Sequence, residues 1–256
     1  MEAGGVRRNV VRLVEELAAN AWAPYTAQAL GGWRLRATFG VTKRANSAWT
    51  VGATPDGDWL DAVERFYRRR GMPSCFYLSD ATPDGVDDAL AAAGYEKLFP
   101  CFFMTGSARE TLERLPADDR YEARHADEAG DDWIADFIRF EDLEPARAAA
   151  YAHIFRAIGP AKTFLRLTNR DGDTVALATA VAERGYAGLS NVIVSPPFRR
   201  QGAAAQLLRA LAAWADAEGA RTLWLQVLED NAPAVALYRK AGFDVLSRCH
   251  YRQKKL

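Results

Sequence analysis

Two stretches of the chain carry residues whose types and order suit chemistry. The first, Asn191 to Ala205, reads NVIVSPPFRRQGAAA. An apolar strand runs into Pro196 and Pro197, each of which removes a ladder donor and stops it. Arg199, Arg200 and Gln201 lead to Gly202, where a backbone without a Cβ can approach a ligand closely, and a helix then opens through Ala203 and Ala204. The first N–H groups of a helix lack intrahelical acceptors and its dipole is positive at that end, so the junction suits an anion, to which two guanidinium groups add charge-assisted bonds. The chemistry is a grip on phosphate, although a surface turn with two solvated arginines has the same sequence. The second stretch, LQVLEDNAPAVALYRKAGF, runs from Leu225 to Phe243. Asn231 can cap a helix that has Pro233 in its first turn. Tyr238 shares a helix face with Val235 and Ala241, as a core tyrosine or as a phenol directed at a reaction.

The known phosphate loops divide the possibilities. A dinucleotide fold needs GxGxxG after a strand and a P-loop needs GxxxxGK followed by Ser or Thr, and neither string occurs. What does occur is Arg199-x-x-Gly202-x-Ala204. This resembles the cofactor loop of the GNAT superfamily of N-acetyltransferases, whose signature is Arg or Gln, x, x, Gly, x, Gly or Ala. The resemblance continues through a strand, Asn231 opening a helix, Tyr238 seven residues later, and Gly242-Phe243 before the next strand. It covers nearly the whole second half of the chain.

The resemblance implies acetyl-CoA as cosubstrate. By it, the strand before the loop and the strand after its helix splay apart, and the pantetheine amides bond along Val192, Ile193 and Val194. The diphosphate rests on Arg199, Arg200, Gln201, Gly202, Ala203 and Ala204, Asn231 adds a side-chain hydrogen bond, and Tyr238 is the catalytic acid. The implied reaction is direct attack of a neutral primary amine on the thioester. A phenol with a pKa of about 10 can protonate a thiolate whose conjugate acid has a pKa of about 8.5 when proton transfer and bond cleavage coincide. The sequence departs from the family at the base, because Tyr186 to Val194 holds no carboxylate. Ser190 or Asn191 through a water, or Glu229, are the candidates. Glu141, Asp142 and Glu144 form an acidic corner that is either a solvated helix end or part of an acceptor site. The expected acceptor is a small-molecule amine; acetylation of a protein N-terminus or lysine is the alternative enzyme, and a non-catalytic acyl-CoA-binding regulator the alternative class.

Composition is consistent with this. The 256 residues are 49% hydrophobic, with 33 basic against 33 acidic side chains and a net charge of zero, as in a globular protein of one large or two ordinary domains. Balanced charge gives no field to gather nucleic acid or an anionic membrane. No stretch approaches about 18 uninterrupted apolar residues, and the expected location is the cytoplasm, as monomer or homodimer. Cys75, Cys101 and Cys249 have no CxxC spacing, and His125, His153 and His250 are scattered, so no metal is expected.

The elements that must hold these residues alternate between helical and strand periodicity, which predicts an α/β (α+β) class with mixed sheets. Helices are expected over 6–20, 58–70, 84–93, 127–140, 145–158, 203–218 and 232–241. Strands are expected over 33–39, 45–51, 75–79, 95–105, 121–125, 163–168, 175–181, 186–194, 222–228 and 243–253. Residues 106–119 are polar, contain Pro116, and suggest a linker between a domain at 1–108 and another at 118–256. An internal repeat is visible at an offset of 148, which lays AAAGYEKLFPCFF over RKAGFDVLSRCHY, Gly94 on Gly242, and Gly71 on Gly219. The expectation is two GNAT-like units in tandem. At this offset the phosphate loop falls on 51–56, VGATPD, which lacks arginine, and Tyr238 falls on Leu90, so the first unit is expected to have lost the cofactor chemistry. The run Lys43 to Ser47 is polar and suits either a turn or an acceptor contact.

Overall fold

The computed structural model describes residues 2–256, with side chains from Gly5 onward. The chain divides into two compact units: 1–102 together with Leu246–Leu256, and Phe103–Val245.

The first unit opens with α1 (Glu2–Ala21), which buries Val11, Val14 and Leu17, and continues with an antiparallel pair, β1 (Thr26–Leu30) and β2 (Trp33–Ala37). A short 3-10 turn at Lys43–Ala45 precedes β3 (Ala48–Trp49), which pairs antiparallel with β2 and parallel with β4 (Ser74–Ser79). Between β3 and β4 lies α2 (Trp59–Arg68), begun by Asp58, whose carboxylate accepts from the Asp61 N–H, and ended before Gly71. Helix α3 (Val86–Ala92) and strand β5 (Glu96–Ser107) follow. The core is aromatic: Trp33, Trp59, Phe76 and Tyr95 meet edge to face, with centroids 5.2–6.2 Å apart.

The second unit contains α4 (Ala108–Arg114), β6 (Tyr121–Ala126), α5 (Asp131–Phe140), α6 (Ala148–Arg156), β7 (Ala161–Asn169), β8 (Thr174–Glu183) and β9 (Tyr186–Val194). It continues with α7 (Ala203–Ala217), β10 (Thr222–Leu228), α8 (Ala232–Lys240) and the start of β11 (Asp244–Lys254). Strands β6 to β9 are antiparallel neighbours, and β10 joins β9 in parallel. Helix α7 buries Leu207, Leu208 and Leu211 completely, and Trp133, Phe137, Phe155 and Phe164 form a second aromatic cluster. The expected α/β class with mixed sheets and flanking helices is what the structure shows. Among the described residues, no helix is long and apolar enough to cross a membrane.

The repeat has a structural counterpart. Helix α2 matches α7, α3 matches α8, and β4, which starts at Ser74, matches β10, which starts at Thr222. In both units the central parallel pair is crossed by a helix, as a βαβ connection requires. The glycines that anchored the alignment are left-handed in both copies, at φ 62° and 76° for Gly71 and Gly219 and 79° and 95° for Gly94 and Gly242. Each ends a helix at the conformation that a Cβ disfavours.

Three expectations need correction. Residues 106–119 are not a linker: β5 runs to Ser107, and α4 occupies 108–114. Thr111 and Leu115 are buried, Thr111 Oγ1 donates to the Ala241 carbonyl at 3.0 Å, and Arg209 Nη1 donates to the Leu112 and Leu115 carbonyls at 2.6 and 2.7 Å. The polar appearance came from the outer face, where Arg109–Glu113 and Glu110–Arg114 are i, i+4 ion pairs. Second, the structure adds β1, outside the expected strands, and only Ala48–Trp49 of the expected 45–51 strand is extended and paired. Third, the compact units differ from halves cut at 108 and 118. The unit boundaries fall inside β5 and β11, and Cys249–Lys254 pair antiparallel with Ser79–Ser74 of β4, so the last residues belong with the first unit.

One position tests the packing between β9 and β10. Gly188 pairs with Trp224, and a Cβ there would lie 2.0 Å from the indole, which itself packs tilted against Phe103 with ring centroids 5.4 Å apart. Gly188→Ala should therefore lower the unfolding free energy by about 1–3 kcal/mol through overpacking, read from urea denaturation; an unchanged midpoint would contradict this packing.

Candidate active site

The site is assembled where β9 and β10 stop pairing. Their parallel register runs from Tyr186↔Thr222 to Leu225↔Leu189 and goes no further, although β9 continues to Val194 and β10 to Leu228. The cause lies on the other side of β9. Against β8 the register advances from Thr179↔Ser190 to Leu177↔Ile193, so β9 has one extra residue there. Asn191 sits at that bulge with φ 53°, and its Nδ2 donates to Thr179 Oγ1 at 3.1 Å. A bulge bends its strand and increases its twist, which carries the end of β9 away from β10. The half-buried Val192, Ile193 and Val194 therefore present backbone groups on the β10 side with no strand opposite. This is the splay that the family resemblance implies.

At the end of β9 the chain makes a short 3-10 turn, Pro196–Phe198, and enters the loop. Arg199 Nε donates to the Val194 carbonyl at 3.1 Å, and Gln201 Nε2 donates to the Pro197 carbonyl at 3.0 Å. Arg200 is left-handed at φ 66°, and Gly202, the residue before α7, is left-handed at φ 92°. Gly202 gives no side-chain cap, and the first turn of α7 holds no acidic residue. Intrahelical bonding starts with the Ala205 and Gln206 N–H groups, both donating to the Gly202 carbonyl. The N–H groups of Gly202, Ala203 and Ala204 precede that ladder, at the positive end of a 15-residue helix.

Two residues that sequence reasoning missed hold this loop. Arg120 Nη2 donates to the Gln201 carbonyl at 3.1 Å, and Tyr121 Oη donates to the same oxygen at 2.9 Å. The Arg120 guanidinium also bonds Asp118 at 2.9 Å, and that bond is the largest influence holding the Asp118 carboxyl below its usual range. These contacts span about eighty positions of sequence, and no local pattern announces them. The first unit differs in kind at the matching place. Helix α2 is capped by its own Asp58 carboxylate and carries Asp61 in its first turn, so its N–H groups and dipole already face fixed negative charge.

Asn231 and Tyr238 belong to helix α8 and its cap. Asn231 caps α8, its Oδ1 accepting from the Ala234 N–H at 3.3 Å, and its side chain lies on the surface. Tyr238 faces inward with Val235 and Ala241, 7% exposed, with its ring 5.9 Å from Phe243. Of the candidate proton acceptors, Asn191 is engaged at the bulge, while Ser190 and Glu229 are half-buried. Glu141, Asp142 and Glu144 are exposed around the end of α5, with Asp142 left-handed at φ 51°.

A parallel pair opened by a bulge, followed by an uncapped left-handed glycine at a helix N-terminus, is the arrangement that the resemblance to the GNAT superfamily implies. A family model described as "Probable histone acetyltransferase Rv0428c C-terminal" matches residues 9–252, and the chain belongs to this family of GNAT-type N-acetyltransferases. It is 43% identical over 245 residues to the uncharacterized N-acetyltransferase YobR of Bacillus subtilis (strain 168), covering 96% of this chain and 99% of that protein. A shorter match, 37% identity over 75 residues, 29% of this chain and 51% of the other, is to the [ribosomal protein bS18]-alanine N-acetyltransferase of Escherichia coli (strain K12). Among solved structures, a GCN5-related N-acetyltransferase from Kribbella flavida superposes with TM-score 0.70 at 16% identity, over 94% of this chain and 95% of that one. A tandem GNAT protein from the clavulanic acid biosynthesis pathway superposes with TM-score 0.68 at 15% identity, over 94% and 87%. The fold is shared with both.

The capping role of Asn231 is separable from any other. Asn231→Ala should cost about 1 kcal/mol of stability by urea denaturation, and Asn231→Asp should restore it, since aspartate caps equally well; equal stability of all three would remove the cap from the account.

Proposed function

We propose that the enzyme transfers an acetyl group from acetyl-CoA to the primary amine of a small molecule. The observation that carries the cofactor is Gly202, left-handed and without a side-chain cap, ahead of a helix whose first turn has no acid. This is a cradle for an anion, and the residues present fit a diphosphate. The N–H groups of Gly202, Ala203 and Ala204 would bind it, with charge from the exposed Arg199 and Arg200, and Gln201 fixed in place through its carbonyl. The open side of Val192, Ile193 and Val194 suits the peptide-like amides of pantetheine. When bound, acetyl-CoA supplies an activated acetyl thioester.

The chain's own contribution is binding, orientation and one proton. Val192 to Val194 orient the arm through backbone bonds. Tyr238, buried on the inner face of α8, holds the proton needed by the departing thiolate in a setting that water does not reach freely. Asn231 contributes its side-chain amide to the cofactor while its oxygen caps α8. The amine's proton leaves through water held near Ser190, or to Glu229.

A small acceptor is favoured over a basic protein tail because the net charge of zero provides no acidic field to gather one. A second reading, acetylation of a protein N-terminus, is supported by the 37% identity to the bS18-alanine N-acetyltransferase over 75 residues. The cytoplasm, where acetyl-CoA is made and used, suits either.

Thiol release measured with DTNB, across small amines and N-terminal peptides in parallel, tests the proposal. Turnover with small amines is expected. Tyr238→Phe should lower kcat by about 10²-fold or more while acetyl-CoA still raises the melting temperature of the variant. Full turnover in Tyr238→Phe would remove it as the acid, turnover with peptides alone would select the second reading, and stabilisation without any turnover would identify an acyl-CoA-binding regulator.

A further inference from the structure

The first unit holds a cavity of about 620 Å³ that takes no part in the site described above. That volume lies within the roughly 300–1,000 Å³ of small-molecule sites. It opens ahead of β3 and β4, at the amino-terminal ends of this parallel pair, lined by Thr42 and Lys43 before β3 and by Met72, Pro73 and Cys75 at the start of β4. The splay of the second unit lies at the carboxy-terminal ends of its parallel pair, so the cavity is not a degenerate copy of the cofactor cradle.

Its wall is pre-formed. Asn46, buried, receives the Thr38 N–H and the Gly40 N–H on Oδ1, and its Nδ2 donates to the Thr38 and Thr42 carbonyls at 2.8 and 2.7 Å. The Tyr25 N–H donates to Thr38 Oγ1 at 2.8 Å. One amide thus fixes the loop from Thr38 to Asn46.

The loop maintains an unfavourable arrangement. Phe39 is 56% exposed and left-handed at φ 48°, a conformation that is an outlier for a bulky residue, and Tyr25 beside it is 66% exposed, with ring centroids 5.3 Å apart. A second aromatic, Phe99, is left-handed at φ 51° and 49% exposed, with the Lys43 ammonium 5.5 Å over its ring. Folding ordinarily removes such rings from water. At Phe39 strain and exposure coincide on the cavity lining, and Phe99 adjoins it through Lys43.

The electrostatics are one-sided. Lys43 and Arg70 line the cavity, and no aspartate or glutamate does. Lys43 Nζ donates to Gln253 Oε1, and Arg70 Nη1 donates to the Phe66 carbonyl while its guanidinium lies 3.7 Å over the Phe66 ring. Among the described residues neither cation has a carboxylate partner. Two cations beside the apolar Ala37, Met72 and Pro73, together with the rings of Tyr25 and Phe39, make a site for a flat apolar body that carries an anionic group.

We propose that this cavity is a binding site for an aromatic carboxylate, with the ring against Phe39 and Tyr25 and the carboxylate facing Lys43 and Arg70. The site stands on geometry in the first unit alone and does not depend on the acetyl-transfer reading.

Met72 supplies a local probe. The chain has three methionines, Met1, Met72 and Met104, and Met104 is fully buried in the second unit. With [¹³C-methyl]methionine-labelled full-length protein, indole-3-acetate should shift the Met72 resonance saturably and leave Met104 in place. Indole-3-acetamide and tryptamine, with the same ring and neutral or positive charge, should bind on the order of tenfold more weakly or not at all. Lys43→Gln should weaken indole-3-acetate by a similar factor. Phe39→Gly should weaken it too while leaving the melting temperature unchanged or higher, because glycine relieves the left-handed strain; a merely structural Phe39 would lose stability instead. A Met72 signal unmoved by indole-3-acetate, equal binding of the three probes, or wild-type binding in both variants would each overturn the proposal.

Discussion

Three N–H groups at the start of one helix set the terms for the rest of the second unit. Peptide donors at a helix N-terminus need acceptors, and proteins ordinarily supply one from a Ser, Thr, Asp or Asn side chain. Helix α7 has a glycine there instead, in a conformation that L-residues avoid, and no carboxylate follows in its first turn. Holding that arrangement requires support from elsewhere, and Arg120 and Tyr121 provide it by fixing the carbonyl just before the glycine. The Asn191 bulge serves the same end from the strand side, since it opens β9 from β10 next to the loop. An anion-accepting turn and an unpaired strand edge are thereby adjacent along one continuous segment.

The two units apply the same scaffold to opposite ends. Helix α2 crosses a parallel pair as α7 does, and the turns at Gly71 and Gly219 share a conformation. Yet Asp58 closes the α2 terminus with its own carboxylate, and β3 is extended for two residues only, so there is neither free dipole nor long splayed edge. Self-capping stabilises a helix and removes its capacity for an external anion in one substitution. The first unit keeps its unusual features at the other end of its strands, around Asn46 and the strained aromatics.

The parts of this arrangement that were legible in the sequence are those encoded by neighbours. Pro196, Pro197, Gly202 and Asn231 mark strand ends and helix starts through properties of single residues, and the repeat at Gly94 and Gly242 is visible because a left-handed helix stop tolerates few alternatives. What was not legible depended on distant contacts or on masking. Helix α4 looked like a linker because four charged residues on its outer face obscured an inner face of Ala108, Thr111 and Leu115, whose value comes from partners at Arg209 and Ala241. The assignment of Leu246–Leu256 to the first unit follows from backbone pairing with β4, which hydrophobic periodicity does not encode. Asn191 gave only the weak sign that asparagine tolerates a positive φ better than most residues, and the functional value of Arg120 and Tyr121 lies in one carbonyl far along the chain.

The central claim is that the α7 terminus, and not its α2 counterpart, receives the diphosphate of coenzyme A. Amide resonances followed during a titration with coenzyme A measure this directly. The account predicts large, saturable shifts at Gly202, Ala203 and Ala204, with Trp59 to Asp61 unmoved. Shifts of equal size at the start of α2, or unmoved amides at Gly202 to Ala204 while coenzyme A binds, would contradict it.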